Sequence, residues 1–398
     1  MGSAGRLGIY VDDLYVVVVE SNGSASVSTD RAFMIFAAEV AGQLGDELLV
    51  LGRTTHADTP SDHVLPTGTG LVELPGYTDL TRLGEVLRAL PGTTRAMWSG
   101  LAQTDRVWIF GPHPFGVLLA ILALIRRKKP ILGVRQDTLG YYRSRLRSRR
   151  WKPALVLAWG LDRIYHLLAR RLPSTIVGRE VAASYGLDRP TVLRMTVTLV
   201  SEADVVASVP QHDWDGRIEL LTVGRLEQEK NPFLLIDVLE RLERRYPGRY
   251  RLTWVGRGPL EDEFARRARE AGVEEAIHLA GYVPYGRELL DLYRNSHLFV
   301  HVSLTEGVPQ VLIEAFASGL PIVATDVGGV SAALEQGAAG LLVPPSQAEP
   351  LVDAIVRLSE SADERERIAQ RGLELVRLLT VEAEAERVAR FIERGRKE

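Results

Sequence analysis

The sequence predicts an α/β protein made of two doubly wound domains, and three observations carry that expectation. From about Ile218 onward, short apolar runs alternate with helical stretches until six strands have been counted. The first half repeats the alternation less regularly. Between the halves, Val197 to Gly216 is polar, holds Pro210 and keeps no period, as an interdomain linker would.

Taken in order, the first half offers the strands LLVLGR (Leu48 to Arg53), RVWIF (Arg106 to Phe110), PILGV (Pro130 to Val134) and STIVG (Ser174 to Gly178), with helical periods between them. The first helix is expected from about Arg31 to Leu44. Ser28, Thr29 and Asp30 precede it, and these are the residue types that best open a helix. In the second half, IELLTV leads into a helix from Pro232 to Arg245, with Asn231 as its expected cap, and RLTWVG leads into one from Leu260 to Ala271. AIHLAG, LFVHVS, PIVATDV and GLLVP then complete a parallel sheet. After Thr380 the run VEAEAERVARFIERGRKE reads as a final exposed helix. The expected domains are therefore 1–208 and 209–380, with 381–398 a C-terminal helix able to pack back on the first.

Composition narrows the function classes. At 398 residues, with 46% hydrophobic and 25% charged residues, the chain has the balance of a soluble globular protein. A net charge of −3 gives no overall preference for nucleic acid or membrane. The absence of cysteine excludes disulfides, thiolate catalysis and cysteine-ligated metal, and makes a reducing cytoplasm the simplest home. Asp12 and Asp13 before YVVVV do not fit a signal peptide, and FGVLLAILALI (Phe115 to Ile125) is shorter than the ~20 apolar residues of a spanning helix.

The stretch TEGVPQVLIEAFASG (Thr305 to Gly319) carries Glu306 and Glu314. Because LFVHVS and PIVATDV flank it as strands, Glu306 falls just past the carboxyl end of a strand and Glu314 one to two turns into the next helix, where open α/β sheets bind ligands. VGRLEQEKN (Val223 to Asn231) is another strand-to-helix loop, and Arg225 and Lys230 flank it. Cations beside a helix N-terminus suit a diphosphate, although Glu227 and Glu229 would equally neutralise both on a solvated loop. In WVGRGP, Gly256 and Gly258 would let backbone approach a ligand.

Together, VGRLEQEKN, WVGRGPLEDEF, LAGYVP, TEGVPQVLIEAFASG and PIVATDVGG, in that order over roughly Glu219 to Val343, resemble the retaining nucleotide-sugar glycosyltransferases of family 4. The resemblance implies the GT-B fold, two Rossmann-like domains facing across a cleft. It also implies transfer of a sugar from a UDP- or GDP-sugar with retention, and neither metal nor other cofactor. The same resemblance has Glu314 bond the ribose hydroxyls and places Glu306 by the transferred sugar. Backbone N–H groups at Gly307, Val308, Gln310 and Val311 reach sugar or phosphate oxygens. Arg225 and Lys230 bind the diphosphate, and Gly256, Arg257 and Tyr282 lie by the donor and its base. A sugar-nucleotide epimerase or hydrolase, or a non-catalytic sugar-nucleotide binder, would share the fold.

The first half departs from the family pattern. Where a glycine pair is usual, this chain has Ser28, Thr29 and Asp30 in its place, read here as a helix start. Where the family places a histidine, the strand ends in Phe110, and His113 in FGPHPFG is the substitute, either catalytic or structural. Asp213 and Asp215 in HDWDG mimic a metal motif but read as a turn. From Arg126 to Arg171, fourteen Lys and Arg face two Asp, a formal +12, with Tyr141, Tyr142, Trp151 and Trp159 interleaved. Such a segment suits an anionic membrane surface, and the family's frequent lipid-linked acceptors suggest peripheral attachment through it. No nucleic-acid motif accompanies the patch.

Overall fold

The computed structural model describes residues 5–19, 25–61, 63–80, 82–135, 152–186, 189–307 and 309–397. Contacts divide the chain into two units, residues 1–197 with 384–398, and residues 198–383.

The first unit holds a nine-stranded sheet. Its strands are β1 (Gly5–Val19), β2 (Ala25–Thr29), β3 (Asp46–His56), β4 (His63–Val64), β5 (Gly70–Leu74), β6 (Arg106–Gly111), β7 (Pro130–Val134), β8 (Ser174–Val177) and β9 (Val192–Met195). The parallel part runs β5-β3-β1-β6-β7-β8-β9, and β2 and β4 add an antiparallel extension along the far end of β1. Sequence periodicity alone missed β1, because Asp12 and Asp13 interrupt its apolar run. The chain absorbs them as a bulge, seen as a register shift against β3 between Tyr10 and Leu14. Ser28 and Thr29 are also strand residues and not a helix start. Ser28 Oγ donates to Val16 O at 3.3 Å and accepts from Ser61 N–H at 2.9 Å, while helix α1 (Phe33–Gln43) starts with no side-chain cap.

Helices α2 (Leu83–Ala102), α3 (Pro114–Ile125) and α4 (Lys152–Ala169) follow β5, β6 and β7. Each crossover steps the same way along the sheet, so right-handed connections put all three on one face and α1 on the other. Both α2 and α4 pack against α3.

The second unit is the six-strand parallel sheet that the sequence predicts. The strands β10 (Ile218–Val223), β11 (Tyr250–Val255), β12 (Ile277–Gly281), β13 (Leu298–His301), β14 (Ile322–Thr325) and β15 (Leu341–Val343) take the order β12-β11-β10-β13-β14-β15. Trp254, Phe264 and Leu239 are buried in one core cluster and Phe299, Phe316 and Tyr293 in another. The segment from Thr198 belongs to this unit, so the division falls earlier than residue 208. Val206 N–H donates to Ala317 O at 2.9 Å, and Asp204 accepts from the Tyr285 hydroxyl at 2.8 Å. From Glu384 the last helix (Val381–Lys397) groups with the first unit, where Arg387 donates to Arg194 O at 2.7 Å.

Candidate functional site

Three loops at the carboxyl edge of the second sheet are fastened to one another. Gly224 N–H donates to Val255 O at 2.9 Å, Leu226 N–H to Arg257 O at 3.1 Å, and Gly256 N–H to Gly281 O at 2.7 Å. Trp254 Nε1, buried behind them, donates to Gly224 O at 2.9 Å. The glycines of WVGRGP therefore serve a purpose that the sequence did not reveal. A Cβ on Gly256 would lie 2.1 Å from Gly224 O, and one on Gly258 would lie 2.3 Å from Leu226 O. The backbone they approach is the neighbouring loop. Gly256 also has φ +132°, a conformation that a side chain resists.

Glu306 and Lys230 meet on this edge. Lys230 Nζ lies 2.5 Å from Glu306 Oε1, Ser303 Oγ donates to the same oxygen at 2.6 Å, and His301 Nε2 stands 3.2 Å from it. All three contacts fall on Oε1. Burial by itself would raise the Glu306 carboxyl, but His301 and the Lys230 ammonium outweigh it and hold the group at about 2. Glu306 is thus an anion throughout the neutral range. Its carbonyl is held as well, since Gly329 N–H donates to Glu306 O at 3.1 Å. A Cβ on Gly328, at φ +49°, would lie 2.0 Å from that oxygen.

Arg225 behaves differently from Lys230. It is exposed and pairs with Glu227 at 2.8 Å and Glu229 at 3.4 Å, the two acids of its own loop. Lys230 ends a short 3₁₀ turn (Gln228–Lys230), and Asn231 follows in the left-handed region at φ 48°. Asn231 does not cap with its side chain as the sequence suggested. Pro232 occupies the cap position of α6 once Arg179–Ser184 is counted as α5, and α6 spans Phe233–Arg245.

Glu314 sits in the fifth position of a helix that runs Gln310–Ala317. The Tyr293 hydroxyl donates to its Oε2 at 2.8 Å. Burial pushes the carboxyl up to about 7, and the Tyr293 hydrogen bond only partly opposes it. The two glutamates of one motif therefore differ in charge state, one held ionised and the other poised near neutrality. The first bond of the helix runs from Leu312 N–H to Pro309 O, so the amides of Gln310 and Val311 precede its ladder and point out of its N-terminus. Gly307 is exposed, and a Cβ there would meet open space. Val308 lies outside the described residues. Arg257 and Tyr282 are both exposed on adjacent loops, and a Cβ on Gly281 would come 3.3 Å from Arg257 Nε.

His301, Ser303 and Tyr293 were not singled out from sequence. The available signal was a histidine at the carboxyl end of LFVHVS, but apolar periodicity reads it as a core position. In the HDWDG stretch, Asp213 Oδ1 accepts Asp215 N–H at 3.0 Å, a local turn.

In the first unit, His113 is buried at the end of β6. Tyr10 OH lies 2.9 Å from its Nδ1, and Asp12 Oδ2 is 3.2 Å from its Nε2. Asp12 Oδ1 accepts the Tyr77 hydroxyl at 2.6 Å, and Arg53 Nε stands 3.3 Å away. This pattern is met with the ring proton on Nε2. Burial would raise the Asp12 carboxyl, but the His113 ring, the Tyr77 hydroxyl and Arg53 together hold it at about 2. The bulge of β1 thus delivers Asp12 to His113, and both ring nitrogens are engaged inside the unit.

Known proteins share both the motifs and the fold. Residues 208–375 match the family model described as glycosyl transferases group 1. The D-inositol 3-phosphate glycosyltransferase of Nocardia farcinica is 35% identical over 160 residues, 39% of this chain and 35% of that protein. A glycogen synthase of Mycobacterium tuberculosis is 34% identical over 161 residues, 40% of this chain and 38% of that protein. The chain thus spans little more than a third of the length of these relatives. Among solved structures, WaaG, a glycosyltransferase involved in lipopolysaccharide biosynthesis, superposes with a TM-score of 0.67 at 14% identity, over 97% of this chain and 99% of that one. Anabaena HepE in complex with UDP and glucose superposes with a TM-score of 0.66 at 16% identity, over 98% and 99% of the two chains. The fold is GT-B.

Proposed function

We propose, from the premise that residues 208–375 form a glycosyl transferases group 1 domain, that this protein transfers a sugar from a nucleoside-diphosphate sugar to an acceptor with retention of configuration. The observation that carries the reading is the juxtaposition of Lys230 with Glu306 at the sheet edge, next to a helix N-terminus that leads to Glu314. In this reading Glu314, ionised, accepts the two ribose hydroxyls, and Arg257 and Tyr282 flank the base. Lys230, Arg225 and the amides of Gly307, Gln310 and Val311 receive the diphosphate. Incoming phosphate oxygens compete with Glu306 for Lys230, which frees the Glu306 carboxylate for the sugar. The bond from the anomeric carbon to the phosphate oxygen breaks while the acceptor oxygen bonds to the same face. The acceptor proton passes to the departing diphosphate. Charge grows on the leaving oxygens, and fixed cations and amides meet it without a metal ion. His113 stays in the reading as a sugar contact, which requires it to exchange one of its partners.

UDP-sugars are the first donors to test, because HepE binds UDP and glucose. The reading extends to a cytoplasmic protein attached peripherally to anionic membranes through the basic segment Arg126 to Arg171, of which residues 136–151, with Tyr141, Tyr142 and Trp151, lie outside the described residues. Among the described residues no helix is long and apolar enough to cross a membrane.

A thermal-shift panel of UDP-, GDP- and ADP-sugars, followed by mass spectrometry of products with candidate acceptors, tests the proposal. One base is expected to raise the melting temperature, since a ligand at a hundred times its dissociation constant adds ~2.7 kcal/mol. A panel without any shift would sink the donor site. Donor hydrolysis or epimerisation with no glycosylated product would move the assignment to those activities.

A further inference from the structure

His301 ends β13 with only 3% of its surface exposed, and its ring lies nearly parallel to that of Phe299 at 6.3 Å. Its Nε2 stands 3.2 Å from Glu306 Oε1, yet among the described residues it completes no hydrogen bond. A buried ring nitrogen left without a bond is costly, so its place in the site calls for a reason. Glu306 supplies one. A carboxylate oxygen accepts along two in-plane lone-pair directions, and Lys230 Nζ at 2.5 Å and the Ser303 hydroxyl at 2.6 Å already occupy Oε1. His301 is therefore a third donor at an oxygen with room for two. Facing an anion, Nε2 is the ring nitrogen that carries the proton, since a bare lone pair there would be repelled.

The three donors are held with different firmness. Thr222 Oγ1 on β10 donates to Val300 O at 2.6 Å, and Thr325 Oγ1 on β14 donates to Ser303 O at 2.8 Å. Buried hydroxyls thus clamp the end of β13 from both neighbouring strands, and Gly329 N–H holds the carbonyl of Glu306 itself. Lys230 instead ends a short 3₁₀ turn and reaches Oε1 on a flexible stem. It is the donor able to leave. We propose that His301 is the positioning residue of Glu306: when a diphosphate draws Lys230 away, the Nε2–H of His301 takes the direction on Oε1 that the ammonium gave up. With Ser303 it then keeps the carboxylate in place, and Oε2 is left for the sugar. The proton stays on His301 throughout, so the exchange is one of hydrogen bonds alone. Without His301 the departing ammonium would leave a buried anion with Ser303 as its one side-chain donor, free to turn after Lys230. The inference rests on the donor-site reading for what removes Lys230, but the exchange itself needs only that Lys230 be gone, which a substitution imitates.

Long-range 1H–15N spectra of the histidine rings of the full chain test it, with His301→Gln identifying the His301 signals. In Lys230→Met without nucleotide, the Nε2–H resonance of His301 is expected to move downfield as its bond to Oε1 forms. Wild type with UDP, GDP or ADP, whichever raises the melting temperature, is expected to show the same displacement. His301→Leu is expected to keep that thermal shift while kcat for donor consumption falls about tenfold to a hundredfold, as when a reacting group is left about 1 Å out of place. His301→Gln, whose amide can set an N–H near the Nε2 position, is expected to recover part of the rate. If His301→Leu fails to fold by circular dichroism, the ring spectra decide alone. A His301 resonance that stays put in Lys230→Met, or His301→Leu with wild-type kcat, would overturn the proposal. The absence of a thermal shift with every nucleotide would instead fail the donor site, and the Lys230→Met spectrum would still decide the exchange.

Discussion

Gly256→Ala isolates the packing that holds the site loops together. The new Cβ would lie 2.1 Å from Gly224 O and 2.8 Å from Gly224 C, both backbone atoms of a loop bonded on either side. Neither can move as a side-chain tip would. The φ of +132° adds strain of order 1–3 kcal/mol, and overpacking against fixed backbone adds about 1–3 kcal/mol more. The expected cost is therefore about 2–6 kcal/mol. At about 2–4 °C per kcal/mol for a domain of 150–250 residues, the transition of the second unit should fall by roughly 4–24 °C. Gly248→Ala is the control: its φ is +72°, but nothing lies within 4 Å of a Cβ there, so it carries the left-handed strain of about 1–2 kcal/mol without the collision. Differential scanning calorimetry of the two variants gives the comparison. Equal losses for both would refute the claim that Gly256 is required by the Gly224–Leu226 loop.

Other outcomes follow from the same geometry. Glu314 has its folded pKa raised from 4.5 to about 7, so its contribution to stability is fully present below about 4.5 and is lost as pH rises through about 7. Glu314→Gln should flatten that part of the stability profile of the nucleotide-free protein, while wild-type nucleotide affinity, which needs the carboxylate, should rise from pH 5.5 to 8, as calorimetry can read; a flat affinity profile would remove Glu314 from the site. Glu306 is depressed to about 2, so its stabilisation is present above about 4.5 and lost as pH falls through about 2, and Glu306→Gln should weaken the acid response in urea titrations while leaving the profile above pH 5 alone. Lys230→Ala should lower turnover by about 2.7–4 kcal/mol of barrier, as loss of one charge-stabilising donor does; it also leaves Glu306 without its ammonium, so a Lys230→Met/Glu306→Gln pair should recover folding stability but not rate. Arg225→Ala should be milder, because Arg225 is exposed and already shared between Glu227 and Glu229; steady-state kinetics that rank it above Lys230 would reverse the assignment. In the first unit, Tyr77→Phe removes one hydrogen bond to the Asp12 carboxylate and should cost about 1.5–3 kcal/mol in the same calorimetric scans.

The amino-acid sequence by itself determined the second unit almost entirely. Its strands are short apolar runs set between amphipathic helices, and both signals are local, so the sheet and the loop positions of Glu306 and Glu314 could be read directly. The first unit was less legible because its central strand β1 carries two aspartates, and no local pattern says that a bulge will accommodate them. Tertiary structure alone decided which groups meet. Lys230 and Glu306 are 76 residues apart, and nothing near Lys230 in the chain shows that it leaves Glu227 and Glu229 to Arg225. Gly256 reads as a ligand-facing glycine until β10 and β11 are laid side by side, when Gly224 O occupies the space a side chain would need. The charge states of the two glutamates belong to the same class. They have the same side chain on one motif, and they separate to about 2 and about 7 because one is buried beside a lysine and a histidine and the other beside a tyrosine. Burial and its partners are properties of the packed molecule, set by contacts between segments that the sequence keeps apart.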